Sequence, residues 1–248
     1  MKTTSSRTSS ELSSWSRSNL ALGLWLALAV GLIALAFIGT SSGAAKTAER
    51  DLLFEYAFTV QSLIGYGFII GLTIGIATIF PSVRAALGFR SFPLRWLWIT
   101  FGLTIASLIV SAALEPLLHA GEEQGLAPTE WDGDRATAFV VNAGIVALVA
   151  PFAEELFFRG LGVRVLGFLG ATAAIGGTAL AFALVHGLVS ALPALGFFGA
   201  VLAFVRYRTR SIWPGFIAHA LYNGIGIVAA VYFALDESSL PRALAFLR

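Results

Sequence analysis

The stretch AFVVNAGIVALVAPFAEELFFRG, residues 138–160, decides how the rest of the chain is read. Its first part is apolar and long enough to belong to a bilayer-crossing helix, which needs about 20 such residues. Its end carries two carboxylates and a guanidinium, Glu154, Glu155 and Arg159, set between apolar turns. Two solvated acids at a helix end would not be followed by Leu156, Phe157 and Phe158. Ionisable groups placed in hydrocarbon are costly, and they mark function by default. Residues four apart share a helix face, and the acid-before-base order is the favourable one. The spacing therefore predicts that Glu155 and Arg159 form a structural ion pair near the cytoplasmic end of the helix. Glu154 lies about 100° further round and is free to face the bundle interior. Pro151 removes a backbone donor and predicts a kink.

Outward from this stretch, the whole 248-residue chain has the same character. Hydrophobic residues make up 57% and charged residues 12%, with a mean hydropathy of +0.83. A soluble domain carries roughly 25% charged residues. Apolar runs occur at about 20–38, 56–80, 96–118, 137–158, 168–190, 192–206 and 213–235. They predict an all-α, polytopic membrane helix bundle of about seven transmembrane helices. The fifth and sixth runs are separated only by Ala191-Leu192-Pro193 and read either as one tight helical hairpin or as including a re-entrant piece. Residues 1–19, rich in Ser, Thr and Arg, read as a disordered basic tail, 20–235 as the transmembrane domain and 236–248 as a C-terminal tail. The run from Leu20 is longer than the apolar part of a signal peptide, about 7–15 residues, and reads as an uncleaved anchor despite the small residues after it.

Basic residues precede the first run (Lys2, Arg7, Arg17) and follow the second (Arg84, Arg90, Arg95), the fourth (Arg159, Arg164) and the sixth (Arg206, Arg208, Arg210). The loop after the third run is acidic. This alternation places the N-terminus in the cytoplasm of a multi-pass plasma-membrane protein, with Lys46 and Arg50 a mild exception. A net charge of +2 held in short loops does not suggest nucleic acid. With no cysteine, thiol catalysis, disulfides and Cys-ligated zinc are excluded.

Two further polar pairs interrupt apolar helices: Phe182 with His186, and His219 with Asn223, each four residues apart. At 1.5 Å per residue, Glu154 and Asn223 lie about 15 Å, His219 about 9 Å and His186 roughly 22 Å along their helices. Allowing for uncertain helix ends, these depths converge on one layer. A carboxylate and an imidazole there can activate a water, while a second imidazole and an amide can donate to an oxyanion. Without a serine in a nucleophile-elbow context, direct attack by water fits better than an acyl-enzyme. Zinc held by Glu154, His186 and His219 is the rival account of the same residues. A small ion- or proton-coupled transporter is the non-enzymatic alternative. Asn142 and Gln61 read as interhelical hydrogen-bond partners, Gly71 and Gly75 as a close-packing pair, and Glu115 with His119 as interfacial residues.

Glu154-Glu155-Leu156-Phe157-Phe158-Arg159-Gly160, Phe182 to His186 and His219 to Asn223 resemble, in order and spacing, the three signature motifs of the CPBP intramembrane proteases, a family that includes the CAAX prenyl endopeptidase. The resemblance covers about residues 137–235. It implies a helical membrane fold with a buried polar cavity open toward the cytoplasm, intramembrane endopeptidase activity on a membrane-associated protein or peptide, and the lipid bilayer as its medium. It implies Glu154 and His186 as the water-activating pair and His219 with Asn223 as the oxyanion site. Phe182, Glu155 and Arg159 take supporting places. A metal-free glutamate mechanism is the expectation, with a zinc-dependent metalloprotease as its alternative.

Overall fold

The computed structural model describes residues 9–41, 52–118 and 131–245. Besides a short 3-10 turn at Leu52–Phe54, eight helices follow one another among the described residues, and none of these residues forms a strand. They are α1 (Ser9–Ser41), α2 (Tyr56–Ala77), the short α3 (Val83–Leu87), α4 (Arg95–Leu118), α5 (Ala136–Leu169), α6 (Ala173–Leu184), α7 (Leu192–Thr209) and α8 (Trp213–Ala245). Helix α1 begins inside the stretch that reads as a tail, and α8 runs beyond residue 235. Four helical stretches are long and apolar enough to cross a bilayer: Trp15–Gly39, Tyr56–Ala77, Arg95–Leu118 and Ala136–Leu169. The fifth apolar run departs most from expectation. Gly170, at φ 107, separates α5 from α6. The 12 residues of α6 are too few for a spanning helix.

Helix α5 changes its winding along its length. Ile145–Val149 and Glu155–Gly162 are π-helical, and so is Ala173–Gly177 at the start of α6. Pro151 stands just after the first π stretch. Its missing donor and its ring's bulk against the preceding carbonyls are accommodated by this wider turn.

Against lipid, apolar burial between helices gains little over tail contact, so close van der Waals packing and interhelical hydrogen bonds hold the bundle together. Ile64, Phe68, Ile109, Val140 and Val228 point outward, whereas Trp25, Leu87, Phe157, Phe158, Phe182, Phe198 and Leu202 form the interior. Small residues let backbones approach. A Cβ on Gly162 would stand 2.8 Å from the Trp25 ring, and one on Gly199 would stand 3.0 Å from Phe182. Trp25 fastens α1 to α5 by donating its indole N–H to the Phe157 carbonyl at 3.0 Å. Asn142 fastens α5 to the segment before α2: its amide donates to the Leu53 and Glu55 carbonyls, and its oxygen accepts from Thr59. Ser111 on α4 meets Tyr222 on α8 at 2.7 Å. Asn142 is thus the interhelical link its position suggested. Gln61 is instead exposed on α2, and Gly71 and Gly75 face open space. His119 lies outside the described residues.

Candidate active site

Glu154 and Glu155 sit where α5 passes from α-helical to π-helical winding. The structure gives them different surroundings. Glu155 is completely buried, and its Oε1 stands 3.0 Å from Arg159 Nη1 and 3.2 Å from His219 Nδ1. Its other oxygen is covered by α8, since a Cβ on Gly215 would lie 2.7 Å from Oε2. Glu154 is partly exposed, and its Oε2 stands 3.7 Å from His219 Nε2.

The expected pairing of Glu155 with Arg159 is present, but it is not at an aqueous helix end. Both side chains are 0% exposed. Arg159 spans from α5 to the α6–α7 hairpin: Nη2 donates to the Gly199 carbonyl at 3.1 Å, and the guanidinium lies 4.2 Å from the Phe182 ring centre. Its contact with Glu155 is close in distance but poorly aligned, for neither Nη1 nor Nε makes a hydrogen bond. Much of the pair's attraction is therefore that of opposite charges in a water-free setting.

His219 is clasped from both sides of its ring. A carboxylate at Nδ1 favours a proton there, and Nε2 then faces Glu154. Phe182 and Phe198 hold the ring edge-on, at centroid distances of 5.6 and 5.3 Å. Tyr222 stacks on Phe198 at 4.1 Å. Phe182 also carries His186 at 4.9 Å, so the two imidazoles share one aromatic ring. His186 lies in the turn just after α6 rather than within a span, with its Nδ1 2.7 Å from the Phe182 carbonyl. Gly187, at φ 67, ends that turn against the Ala36 carbonyl of α1. Asn223 turns its amide to α5 and donates to the Val146 carbonyl at 2.9 Å.

The structure thus brings Glu154, Glu155, Arg159 and His219 into direct contact, seats His186 on the shared Phe182, and ties Asn223 to the π-helical stretch before the carboxylates. Three participants carry no sequence signal of their own: Gly215, Phe198 and Tyr66, which lies within electrostatic reach of Glu154. The ligand set expected for zinc does not assemble. Among the described residues no three His, Asp or Glu side chains are grouped to hold a metal. His219 is instead divided between two carboxylates, and His186 Nδ1 is engaged by a backbone carbonyl.

Residues 135–225 match the family model described as Type II CAAX prenyl endopeptidase Rce1-like. This stretch is similar to the Rce1-like family. All four expected catalytic positions fall within it, as do Arg159 and Gly215. The Rce1-like match agrees with the motif resemblance and fits a protein with four bilayer-length apolar stretches. Trp25 and Tyr66 stand outside the match. No curated protein and no solved structure matches the chain.

Proposed function

We propose that the chain is an intramembrane endopeptidase that hydrolyses a peptide bond of a membrane-associated protein or peptide with a water activated by Glu154. The bundle crosses the plasma membrane several times, with its N-terminus and the mouth of the site on the cytoplasmic side. One observation carries this reading. Of two adjacent carboxylates, Glu155 is wholly buried against Arg159 and His219, while Glu154 keeps 17% of its side chain exposed beside the same imidazole. The first is built as a support and the second as a reagent.

In this reading Glu154 takes a proton from water, which His186 orients, as the water oxygen attacks the scissile carbonyl carbon. The carbonyl electron pair moves onto oxygen. With Nδ1 turned to Glu155, His219 presents Nε2 to that oxyanion, and Asn223 supplies an amide N–H donor. Glu154 then returns its proton to the amine nitrogen as the C–N bond breaks. No step requires a metal.

Glu154→Gln keeps the shape of the side chain and removes the base. Cleavage of tagged membrane peptides should fall by about 10²–10⁴-fold, with the melting temperature retained. A chelator should leave the wild-type rate unchanged. Cleavage that survives Glu154→Gln, or that is lost on chelation and restored by zinc, would overturn the proposal.

A further inference from the structure

Away from Glu154, a second polar cluster occupies the end of the bundle where α3, α5 and α7 meet. Arg90, Arg164, Arg206 and Arg210 line one cavity of about 620 Å³, together with Phe80 and Phe168. That volume falls within the range of small-ligand sites, about 300–1,000 Å³. The four guanidinium groups come from three separate segments, and none of them makes an ion pair or a hydrogen bond among the described residues.

Positive residues at membrane edges are common, and most reach into water or headgroups on flexible stems. Arg206 cannot do so. It is only 6% exposed, and its Nε is buried without a partner. Its guanidinium lies against Gly88, where a Cβ would come within 2.7 Å of Nε. Gly88 also holds φ 78, so no other residue fits that turn without strain. Backbone latches fix the cluster. Ser211 Oγ donates to the Arg90 carbonyl at 2.6 Å, Ile212 N–H donates to the Gly88 carbonyl, and Arg210, at φ 56, donates its N–H to the Arg206 carbonyl. Arg164 is steadied over the Phe80 ring at 4.8 Å.

Four like charges around one cavity, one of them desolvated and unpaired, repel each other unless an anion joins them. Fork-shaped donors arriving from several directions suit a tetrahedral oxyanion such as phosphate. The remaining wall is mostly apolar, with Phe80 and Phe168 in it, and the cavity sits where membrane-length helices end, which suits an amphiphile better than a free ion. We propose that this cavity binds the phosphate of an anionic phospholipid. By seating it, the lipid would tie α3, α5 and α7 together at that end of the bundle.

The test uses the full chain in nanodiscs of phosphatidylcholine alone or with phosphatidylglycerol, reading the melting temperature and, by native mass spectrometry, the lipid retained. Phosphatidylglycerol should raise the melting temperature and be retained. The exposed-arginine variants Arg90→Ala and Arg164→Ala should each weaken that effect about tenfold or more, while melting normally in phosphatidylcholine. Arg206→Lys, which keeps the charge but not the fork, should weaken it as well. If Arg206→Lys does not fold, the two exposed variants decide. The proposal is overturned if phosphatidylglycerol has no effect or if the arginine variants respond like wild type. It is equally overturned if inorganic phosphate, or a peptide with a free C-terminal carboxylate, stabilises the chain where the lipid does not.

Discussion

Replacing Arg159 by Ala removes the positive partner of a carboxylate that has no route to water. Glu155 is 0% exposed, and after the change its neighbours are His219 at 3.2 Å and the closely apposed backbone of Gly215. Breaking a buried pair by deleting one member costs about 3–5 kcal/mol, because the surviving charge stays desolvated. The lost guanidinium also leaves the Gly199 carbonyl without its 3.1 Å donor and the Phe182 face without its cation. For a chain of this length, a loss of that size lowers the melting temperature on the order of 10 °C. Purified Arg159→Ala, melted in detergent with tryptophan fluorescence as the readout, should show that drop together with a reduced folded yield. The same logic makes Glu155→Leu combined with Arg159→Met far less damaging to stability than Arg159→Ala alone, since no orphan charge remains. The double variant should still be inactive, because His219 has lost the group that orients it. An Arg159→Ala protein that melts within about 1 kcal/mol of wild type would refute the reasoning, and Glu155 would then have to be reaching solvent or another cation.

Gly215→Ala should depress both stability and cleavage, since its Cβ would enter to 2.7 Å from Glu155 Oε2 and overpacking of this kind costs about 1–3 kcal/mol; parallel melting and cleavage assays check it. Trp25→Phe leaves the buried Phe157 carbonyl without its donor and should cost about 1–3 kcal/mol in a thermal melt, with cleavage measured well below that melt little changed. Asn223→Ala should lower kcat by about 10²–10³-fold while leaving KM nearly constant; a purely structural amide, bonded only to Val146, would instead lower the melting temperature and spare kcat.

What could be read in advance divides along a physical line. Contacts set by local spacing were legible. Glu155 meets Arg159 as four-residue spacing required, even though the turn between them is π-helical. Asn142 was legible as an interhelical link because a lone amide in an apolar run must find partners. Contacts set by tertiary approach were not. His219 meets Glu155 across 64 positions, and nothing in either segment names the other. Gly215 looks like any helix glycine until α8 is laid against Glu155, and Trp25 reads only as a bilayer residue. Hydropathy overstated the fifth run, because it does not see Gly170 divide one apolar stretch between α5 and a 12-residue α6. The arginines were legible as orientation signals, but their convergence depends on latches between residues 88–90 and 211–212.

The changes of winding in α5 act like a vernier on a ruler. In an α-helix one phase angle, fixed at any residue, dictates the direction of every other side chain. Two interruptions of five and eight residues break that dependence, so the rod carries three independently aimed sections. The first points Asn142 at the α2 entry, the second points Glu154 at α8, and the third points Arg164 at the arginine cavity. A helical wheel drawn through the whole rod would misplace at least one of these faces. A one-residue deletion inside a π stretch would restore uniform winding and re-aim everything beyond it, although every catalytic side chain would still be present in the chain.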